Sequence, residues 1–324
     1  MTKSKTLATS LLSLSAAALL AVCAAGGASA APASPQDGGQ VASQAVDATN
    51  AASYWTAERM RAAVPGDVLA SKALQRGNTS PAAAVEKGSS TKIAGKAGNG
   101  KPAPLHTDEN PVSHIGKVFF TLGGSNYVCS GNSVASNNKS TVSTAGHCLN
   151  EGPGAFATNF IFVPAYLDGA APYGKWAAKA LYAPTQWSSA GDMQYDTGFA
   201  VVSQLNGQNL ADVVGASGVQ FNAARGLTYK AFGYPAAAPF DGSSLVSCTG
   251  PARNDPYNPQ FQSQGIPCDM TGGSSGGPWF IGTSSSGYQN SVNSYGYGSR
   301  SEIMYGPYWG SVIQQAYSSA SSAN

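Results

Sequence analysis

The C-terminal two thirds of this chain is a succession of short strand candidates separated by glycine, proline and asparagine. Short strands with turn residues between them are typical of an all-β barrel or sandwich. Roughly 210 residues are enough to build two small hydrophobic cores. The candidates are 117–122, 127–130, 141–144, 160–166, 176–182, 197–205, 227–234, 245–248, 278–281 and 291–297. The sequence therefore predicts an all-β domain over 111–324.

One segment near the C-terminus departs from this strand pattern. After Pro307, apolar residues recur at the spacing that places them on one face of a helix. We therefore predict a closing helix over about 307–319 that packs on the β domain. The apolar residues are Trp309, Val312, Ile313, Ala316 and Tyr317.

The first 30 residues have the features of a secretory signal peptide. Lys3 and Lys5 supply positive charge, 7–25 is apolar, and Ala28-Ser29-Ala30 is a small-residue cleavage site. Serines interrupt the apolar run and no second hydrophobic span follows it, which disfavours a membrane anchor. Cys23 leaves a lipoprotein as the alternative. We expect a secreted, extracellular protein that makes no membrane contact.

Residues 31–110 differ in composition from the domain that follows them. The pattern over 54–64 predicts a short helix, with Thr56 as its N-cap and Pro65 at its end. From about Ser71 the chain is rich in Ala, Gly, Lys and Ser, which is typical of a linker. We interpret 31–110 as a propeptide with its linker, and a permanent disordered arm is the alternative.

Four cysteines remain once the signal peptide is removed. In an exported chain they imply two disulfides, for which three connectivities exist. Pairing sequence neighbours is the simplest connectivity, Cys129 with Cys148 and Cys248 with Cys268. No Cys-x-x-Cys motif occurs, so we expect neither a metal site nor a cofactor.

Charge is sparse and nearly balanced, with 18 Lys and Arg against 16 Asp and Glu and a net charge of +2. No basic stripe indicates a nucleic-acid partner, and no basic amphipathic helix indicates a membrane surface. We expect a monomer whose partners are protein or peptide substrates.

Three stretches hold residues that could carry chemistry. In Thr-Ala-Gly-His-Cys, His147 directly follows the end of a strand candidate. Asp196 stands at the start of an apolar strand candidate, whereas the nearby Asp192 lies among polar residues. The stretch 272–278 contains four glycines, which let the backbone turn sharply and present its N–H groups.

The chain order His, Asp, Ser is one of the known arrangements of a serine-hydrolase triad. A serine hydroxyl is a weak nucleophile at neutral pH, so it needs an imidazole that takes its proton. A carboxylate then orients the imidazole and stabilises its charged form. His106 and His114 lie in or beside the linker, and we assign them no role.

The same three stretches resemble motifs of the chymotrypsin-like serine peptidases. The histidine stretch is similar to their Thr-Ala-Ala-His-Cys, 196–202 to their Asp-x-Ala-Leu strand, and 273–278 to their Gly-Asp-Ser-Gly-Gly-Pro. The resemblance covers about 112–315. It implies two six-stranded antiparallel β-barrels, about 112–208 and 219–305, with the active site in the cleft between them.

The resemblance also implies a role for each matching residue. His147, Asp196 and Ser275 would be the catalytic triad, and the N–H groups of Gly273 and Ser275 would form the oxyanion hole. The pairing of Cys129 matches the family's bridge beside the histidine. Ser274 stands where the family has Asp, which in animal members pairs with a freed N-terminus. That activation switch should therefore be absent here.

The uncharged residue before the nucleophile resembles the bacterial secreted glutamyl-endopeptidase branch, as does the Asp-x-x-Gly-Gly run that begins at Asp269. In trypsin-like members an Asp six residues before the nucleophile selects Arg or Lys, but glutamyl endopeptidases can also carry it. Glutamate specificity normally uses a His where this chain has Asn293. The predicted substrate-binding residues are Asp269, Ser294, Tyr295 and Gly296, the last three resembling a strand that pairs with substrate. A plain surface loop over 284–299 is the alternative.

The sequence thus predicts a secreted serine endopeptidase that works through an acyl-enzyme. A secreted, non-catalytic peptide-binding or surface protein on the same fold is the alternative. A lipase or other esterase is disfavoured, because the chain lacks a Gly-x-Ser-x-Gly elbow within a βαβ pattern.

Overall fold

A computed structural model describes residues 39–77, 88–93, 109–298 and 301–324. The predicted signal peptide and much of the predicted linker lie outside these residues. The described elements before residue 94 are β1 (Val41–Ala45), α1 (Ala51–Tyr54), α2 (Ala57–Ala62), β2 (Val64–Pro65), α3 (Asp67–Gly77) and β3 (Thr91–Ile93). We call residues 39–77 the N-terminal segment and residues 109–324 the β domain.

The linker predicted from Ser71 is wrong for its first residues, because α3 continues to Gly77. An isolated helix of this length is marginal in water. Three of its apolar residues, Leu69, Ala70 and Ala73, are buried in the main hydrophobic core. Composition alone does not reveal such tertiary contact, and the helix was missed for this reason.

The helix predicted over 54–64 is divided into α1 and α2. Thr56 caps α2 as predicted, because its Oγ1 accepts a hydrogen bond from the Arg59 N–H at 3.2 Å. Trp55 lies between the two helices and is fully buried. The break between the two helices therefore points the Trp55 side chain toward the hydrophobic core.

The first half of the β domain is a closed barrel. Its strands are antiparallel in the order β8-β7-β4-β5-β6-β9, and pairing of β8 with β9 closes the sheet. This confirms the first of the predicted six-stranded antiparallel barrels. The strands are β4 (Ile115–Leu122), β5 (Ser125–Val134), β6 (Thr141–Thr144), β7 (Thr158–Pro164), β8 (Trp176–Pro184) and β9 (Gly198–Val202).

The second half contains eight strands arranged in two sheets. One sheet has the order β12-β11-β15-β16-β10 and is extended by β3, while the other has the order β13-β14-β17. The all-β, two-barrel architecture is confirmed, with the local difference that β10 pairs with β16 in parallel. The strands are β10 (Val219–Phe221), β11 (Thr228–Gly233), β12 (Val246–Pro251), β13 (Arg253–Asn254), β14 (Gln264–Pro267), β15 (Pro278–Ile281), β16 (Gln289–Val292) and β17 (Ile303–Gly306).

Three helices complete the β domain: α4 (Thr185–Ala190), α5 (Leu210–Val214) and α6 (Ser311–Ser322). The predicted closing helix is present as α6, but it starts and ends a few residues later than 307–319. Its buried Tyr317 contacts the rings of Phe199 and Phe221, at centroid distances of 5.7 and 5.2 Å. Helix α6 thereby packs on both halves.

A second hydrophobic cluster lies where the two halves meet. It joins Phe119 and Ile161 of the first half to Phe232 and Phe280 of the second, and it also contains Trp55. This contact holds the two halves on either side of a cleft. Among the described residues, no helix has both the length and the apolar character needed to span a membrane.

Candidate active site

His147 lies in a short 3-10 helix, Gly146–Cys148, directly after β6. A disulfide joins Cys148 to Cys129 of β5 with an S–S distance of 2.05 Å, which confirms the predicted pairing. The second predicted disulfide, Cys248–Cys268, is also present. The histidine is therefore fixed from both sides, by the barrel strand before it and by the bridge after it.

Gly146 is the one departure from the family's histidine motif, and its surroundings explain it. A Cβ at this position would lie 2.8 Å from Cδ1 of Trp187 and 3.0 Å from Oδ1 of Asp196. Carbon atoms do not approach that closely without displacement. Trp187 occupies the space of the missing methyl group, so alanine does not fit there.

Asp196 follows a second 3-10 helix, Met193–Tyr195, and accepts three hydrogen bonds. His147 donates its main-chain N–H to Oδ1 at 2.8 Å, and its Nδ1 lies 2.8 Å from Oδ2. Ser294 donates its hydroxyl to Oδ2 at 2.5 Å. Both His147 and Asp196 are fully buried. The carboxylate is thus fully engaged by hydrogen-bond donors.

This geometry assigns the tautomer of His147. A carboxylate only accepts hydrogen bonds, so we place the ring proton on Nδ1. The other nitrogen, Nε2, is then free to accept a proton. It is buried and makes no hydrogen bond within the described residues.

The turn that carries Ser275 is attached to the first barrel by Ser130 of β5. The Ser130 N–H donates to the Ser275 carbonyl at 2.7 Å, and its hydroxyl donates to the Gly273 carbonyl at 2.9 Å. The Sγ atom of Cys148, the residue after His147, lies 3.9 Å from the Ser275 carbonyl oxygen. The serine turn (272–278) is therefore bonded to Ser130, and the histidine turn (145–148) is bonded to the neighbouring Cys129 of the same strand. No motif in the sequence marks Ser130.

Two glycines of the serine turn have positive φ, +95° at Gly273 and +80° at Gly276. A side chain at Gly276 would collide with the Thr144 hydroxyl and the Ser130 carbonyl. The main-chain N–H groups of Gly273 and Ser275 donate to no other group among the described residues. They remain available, as the predicted oxyanion hole requires.

A cavity of about 340 Å³ lies beside Ser275. All four predicted substrate-binding residues line it: Asp269, Ser294, Tyr295 and Gly296. Asp269 is exposed, whereas the Tyr295 hydroxyl points away and donates to buried Asp255 at 2.9 Å. The Ser294 hydroxyl is bonded to Asp196, a contact that the sequence did not predict.

Asn293 does not line this cavity among the described residues. Its amide nitrogen lies 2.9 Å from the carbonyls of both Phe232 and Ser274, and its oxygen accepts from the Trp279 indole at 2.7 Å. The side chain therefore supports the serine turn from behind. It does not occupy the pocket position that comparison with glutamyl endopeptidases suggested.

Asp192 and His114 are held by local hydrogen bonds and take no part in the triad. Asp192 accepts the Gln194 N–H at 3.0 Å and caps the 3-10 helix that precedes Asp196. His114 lies 2.7 Å from the Asn132 amide oxygen, and burial lowers its pKa. His106 lies outside the described residues.

The N-terminal segment reaches the same cavity. Asp67, Ala70 and Leu74 of α3 are among its lining residues. The Asp67 carboxylate lies against Gly272, at the edge of the serine turn. Burial raises the pKa of Asp67, and the charge of His147 partly offsets this increase.

Two solved structures are similar to this chain over nearly all of their own length. Protease Anisep from Arthrobacter nicotinovorans is 80% identical, with a TM-score of 0.66, over 67% of this chain and 99% of its own. The thermostable serine protease AL20 from an extremophilic microorganism is 52% identical, with a TM-score of 0.64, over 65% of this chain and 98% of its own. This chain belongs to the serine protease family.

More distant comparisons add less about this serine protease. A Glu endopeptidase structure is 20% identical, over 69% of this chain and 95% of its own with a TM-score of 0.50, and this likeness concerns the fold alone. A curated relative, the extracellular metalloprotease of Bacillus subtilis (strain 168), is 27% identical over 192 residues. That match spans 56% of this chain and only 57% of the relative's length. No family model matches the chain.

The name of the Bacillus relative raises the question of a metal. Within the described residues, one group of His, Cys, Asp and Glu side chains is close enough to ligate an ion: Cys129, His147 and Cys148. The two sulfurs of this group are bonded to each other and therefore cannot act as thiolate ligands. These residues do not fit a metal site.

Proposed function

We propose that this chain is a secreted serine endopeptidase in which Ser275, His147 and Asp196 form the catalytic triad. The observation that carries the proposal is the buried His147–Asp196 pair, whose free Nε2 belongs to a turn in contact with the serine turn. An imidazole held in this tautomer has its basic nitrogen ready for a serine proton.

The chemistry follows from these roles. Nε2 of His147 takes the Ser275 proton as Oγ attacks the peptide carbonyl, and the resulting imidazolium is stabilised by Asp196. The oxyanion accepts hydrogen bonds from the free N–H groups of Gly273 and Ser275. His147 returns the proton to the departing amine, and water releases the acyl group by the same steps in reverse.

Secretion and maturation are part of the proposal. The pattern of 1–30 supports export, and two disulfides suit an oxidising compartment. The name of the Bacillus relative includes the word extracellular. The segment 31–110 would be a propeptide removed after export, which agrees with a solved relative that matches only 67% of this chain.

Substrates would be proteins or peptides bound along Ser294 and Gly296. No described residue hydrogen-bonds the main-chain groups of Gly296, so they are free to pair with an added strand. Asp269 at the cavity would favour a basic side chain by charge, but its exposure weakens that preference through solvent screening.

Covalent labelling tests the nucleophile directly. A fluorophosphonate probe should label the mature protein, and Ser275→Ala should abolish the label while leaving the fold intact. Ser274→Ala is the matched control, because the Ser274 hydroxyl is already bonded to the Thr271 carbonyl at 2.7 Å. Label that persists in Ser275→Ala would refute the assignment. Absence of turnover of a denatured protein would favour the non-catalytic, peptide-binding alternative.

A further inference from the structure

Asp255, which directly follows β13, is a buried carboxylate that takes no part in the triad. Its side chain is 1% exposed. Oδ1 accepts the main-chain N–H groups of Tyr257 and Asn258, at 2.9 and 3.2 Å. Oδ2 accepts the hydroxyl groups of Tyr295 and Tyr297, at 2.9 and 2.5 Å. Four donors therefore compensate this carboxylate for the loss of water.

The two oxygens of Asp255 serve different parts of the chain. Oδ1 closes a turn within the loop to which Asp255 belongs, residues 255–263. Oδ2 reaches the segment 294–297, 40 residues further along the chain. That segment contains Ser294 and Gly296, which line the cavity beside the nucleophile. Asp255 thus joins its own loop to the proposed binding site of the substrate.

The loop 255–263 is itself attached to both halves of the β domain. The Gln262 N–H donates to the side-chain oxygen of Gln194 at 2.9 Å. Gln194 is fully buried in the 3-10 helix of the first half that precedes Asp196. Arg225 of the second half donates to the Gln262 carbonyl at 2.5 Å. Asp255 therefore has a fixed support from which it can position the two tyrosines.

Tyr295 and Tyr297 flank Gly296, the residue whose main chain is open to a peptide. On one side Tyr295 pairs with β17, because the Tyr305 N–H donates to the Tyr295 carbonyl at 2.8 Å and the two rings stack at 5.1 Å. Within the described residues, the main-chain groups of Gly296 form no hydrogen bond. A glycine adopts many backbone conformations. The conformation of Gly296 therefore depends on how firmly its two neighbours are held.

We propose that Asp255 is a positioning residue for peptide binding, which acts through the two tyrosine hydroxyl groups to hold Gly296 ready for the main chain of the substrate. This rests on the proposed function. Two residues of an extended chain span about 7 Å, so a substrate beside Ser294 reaches Gly296 only if it continues for about two more residues. Asp255 should therefore matter for long substrates more than for short ones.

The experiment measures the gain in kcat/KM that extra substrate residues provide. Two libraries, acetyl-X and acetyl-Ala-Ala-Ala-X, carry a fluorogenic coumarin amide after a fully randomised residue X. The secreted protein is used, and a fluorophosphonate counts its active sites. Randomisation makes the comparison independent of the preference at X.

Asp255→Asn keeps an oxygen for the two main-chain N–H groups but places an amide donor where Oδ2 accepts the two hydroxyls. It should reduce the gain about tenfold, a typical cost of losing hydrogen bonds to a charged group. Asp168→Asn is the matched control, because the Asp168 carboxylate is exposed. It should leave the gain within about twofold of wild type.

The tyrosine hydroxyls should carry this effect. In a Tyr295→Phe/Tyr297→Phe protein, adding Asp255→Asn should change the gain by no more than about twofold, because the groups through which Asp255 acts are already absent. Tyr297→Phe alone does not depend on folding of Asp255→Asn, since Tyr297 is only half-buried. It should reduce the gain about threefold.

The inference and the proposed function fail in different ways. Equal losses on both libraries would show that Asp255 supports the fold and not the binding of long substrates. An unchanged gain in Asp255→Asn or in Tyr297→Phe would also overturn the inference, while the label on Ser275 remained. Absence of both label and turnover in the wild-type protein would instead overturn the proposed function.

Discussion

The two halves of the β domain prepare their catalytic groups by different means. The first half holds His147 and Asp196 in turns that adjoin strands β6 and β9 of its closed barrel, where side-chain and main-chain donors engage the carboxylate. The second half carries Ser275 on a glycine turn, where the N–H groups of Gly273 and Ser275 stay without partners among the described residues. A buried charge requires engaged donors, whereas an oxyanion hole requires unused ones.

This difference explains the residue types on each side of the cleft. The buried carboxylate and the imidazole it orients need bulky, rigid neighbours, so Trp187 and the Cys129–Cys148 bridge surround them. The serine turn needs backbone conformations that side chains disfavour, so Gly273 and Gly276 have positive φ. Substitutions that remove charge should thus be most harmful in the first half, and those that add atoms in the second.

Asp196→Asn should have the largest effect, an approximately ten-thousand-fold loss of kcat, or about 5 kcal/mol. An amide in place of the carboxylate favours the wrong tautomer of His147. The measurement is kcat on a peptide substrate for the mature enzyme. Asp192→Asn is the control and should stay within a few-fold of wild type, because Asp192 caps a 3-10 helix. Comparable losses in both variants would contradict the assigned roles.

Gly276→Ala should reduce the free energy of unfolding by roughly 3–4 kcal/mol, the sum of the left-handed backbone strain and a collision. A methyl group there meets Thr144 and Ser130. Gly282→Ala separates the two contributions, because Gly282 has φ +101° but no atom within 4 Å of the position that its methyl group would take. It should cost only about 1–2 kcal/mol. Urea unfolding in the Ser275→Ala background measures both, and equal costs would show that the collision is absent.

Lys117 joins the two halves and should make stability depend on pH. Its ammonium group donates to the Gly242 carbonyl at 2.8 Å, and burial lowers its pKa to about 8, opposed by Asp241. The unfolded chain therefore binds more protons above pH 8, so the free energy of unfolding rises with pH there. We expect Lys117 to contribute an increase of roughly 1.5 kcal/mol between pH 8 and 9.5.

Lys117→Met should remove this contribution, which urea unfolding across the same pH range would measure. Lys139→Met is the control, because Lys139 forms an exposed ion pair with Asp212. Identical pH profiles for wild type and Lys117→Met would exclude the effect.

Ser294→Ala should have the smallest effect, a loss of about tenfold in kcat/KM, or about 1.4 kcal/mol. Here the second half donates a hydrogen bond to the carboxylate of the first, at 2.5 Å. Two donors from His147 remain, so the triad survives. Ser294→Thr should restore part of the activity, which a loss of packing alone would not explain. An unchanged kcat/KM in Ser294→Ala would indicate that the two halves prepare their groups independently.

Local sequence patterns are sufficient to predict the fold class, the closing helix and the two disulfides. Each depends on residues close together in the chain: strand-length apolar runs, helical spacing after Pro307, and neighbouring cysteines. The resemblance of three short motifs was sufficient to choose His147, Asp196 and Ser275 as candidates. These motifs are readable because their chemistry restricts several adjacent residues at once.

Contacts between distant parts of the chain hold these candidate residues in place. Such contacts also place helix α3 beside them. Ser294 and Asp196 are 98 residues apart, and Ser130 and Gly273 are 143 apart. The serines of these pairs belong to no local pattern, because a single hydroxyl forms each contact. Composition predicts linker where α3 lies, since its small, polar residues form a stable helix only against the cleft. Burial against a distant partner, which local sequence does not encode, places this helix over the active site.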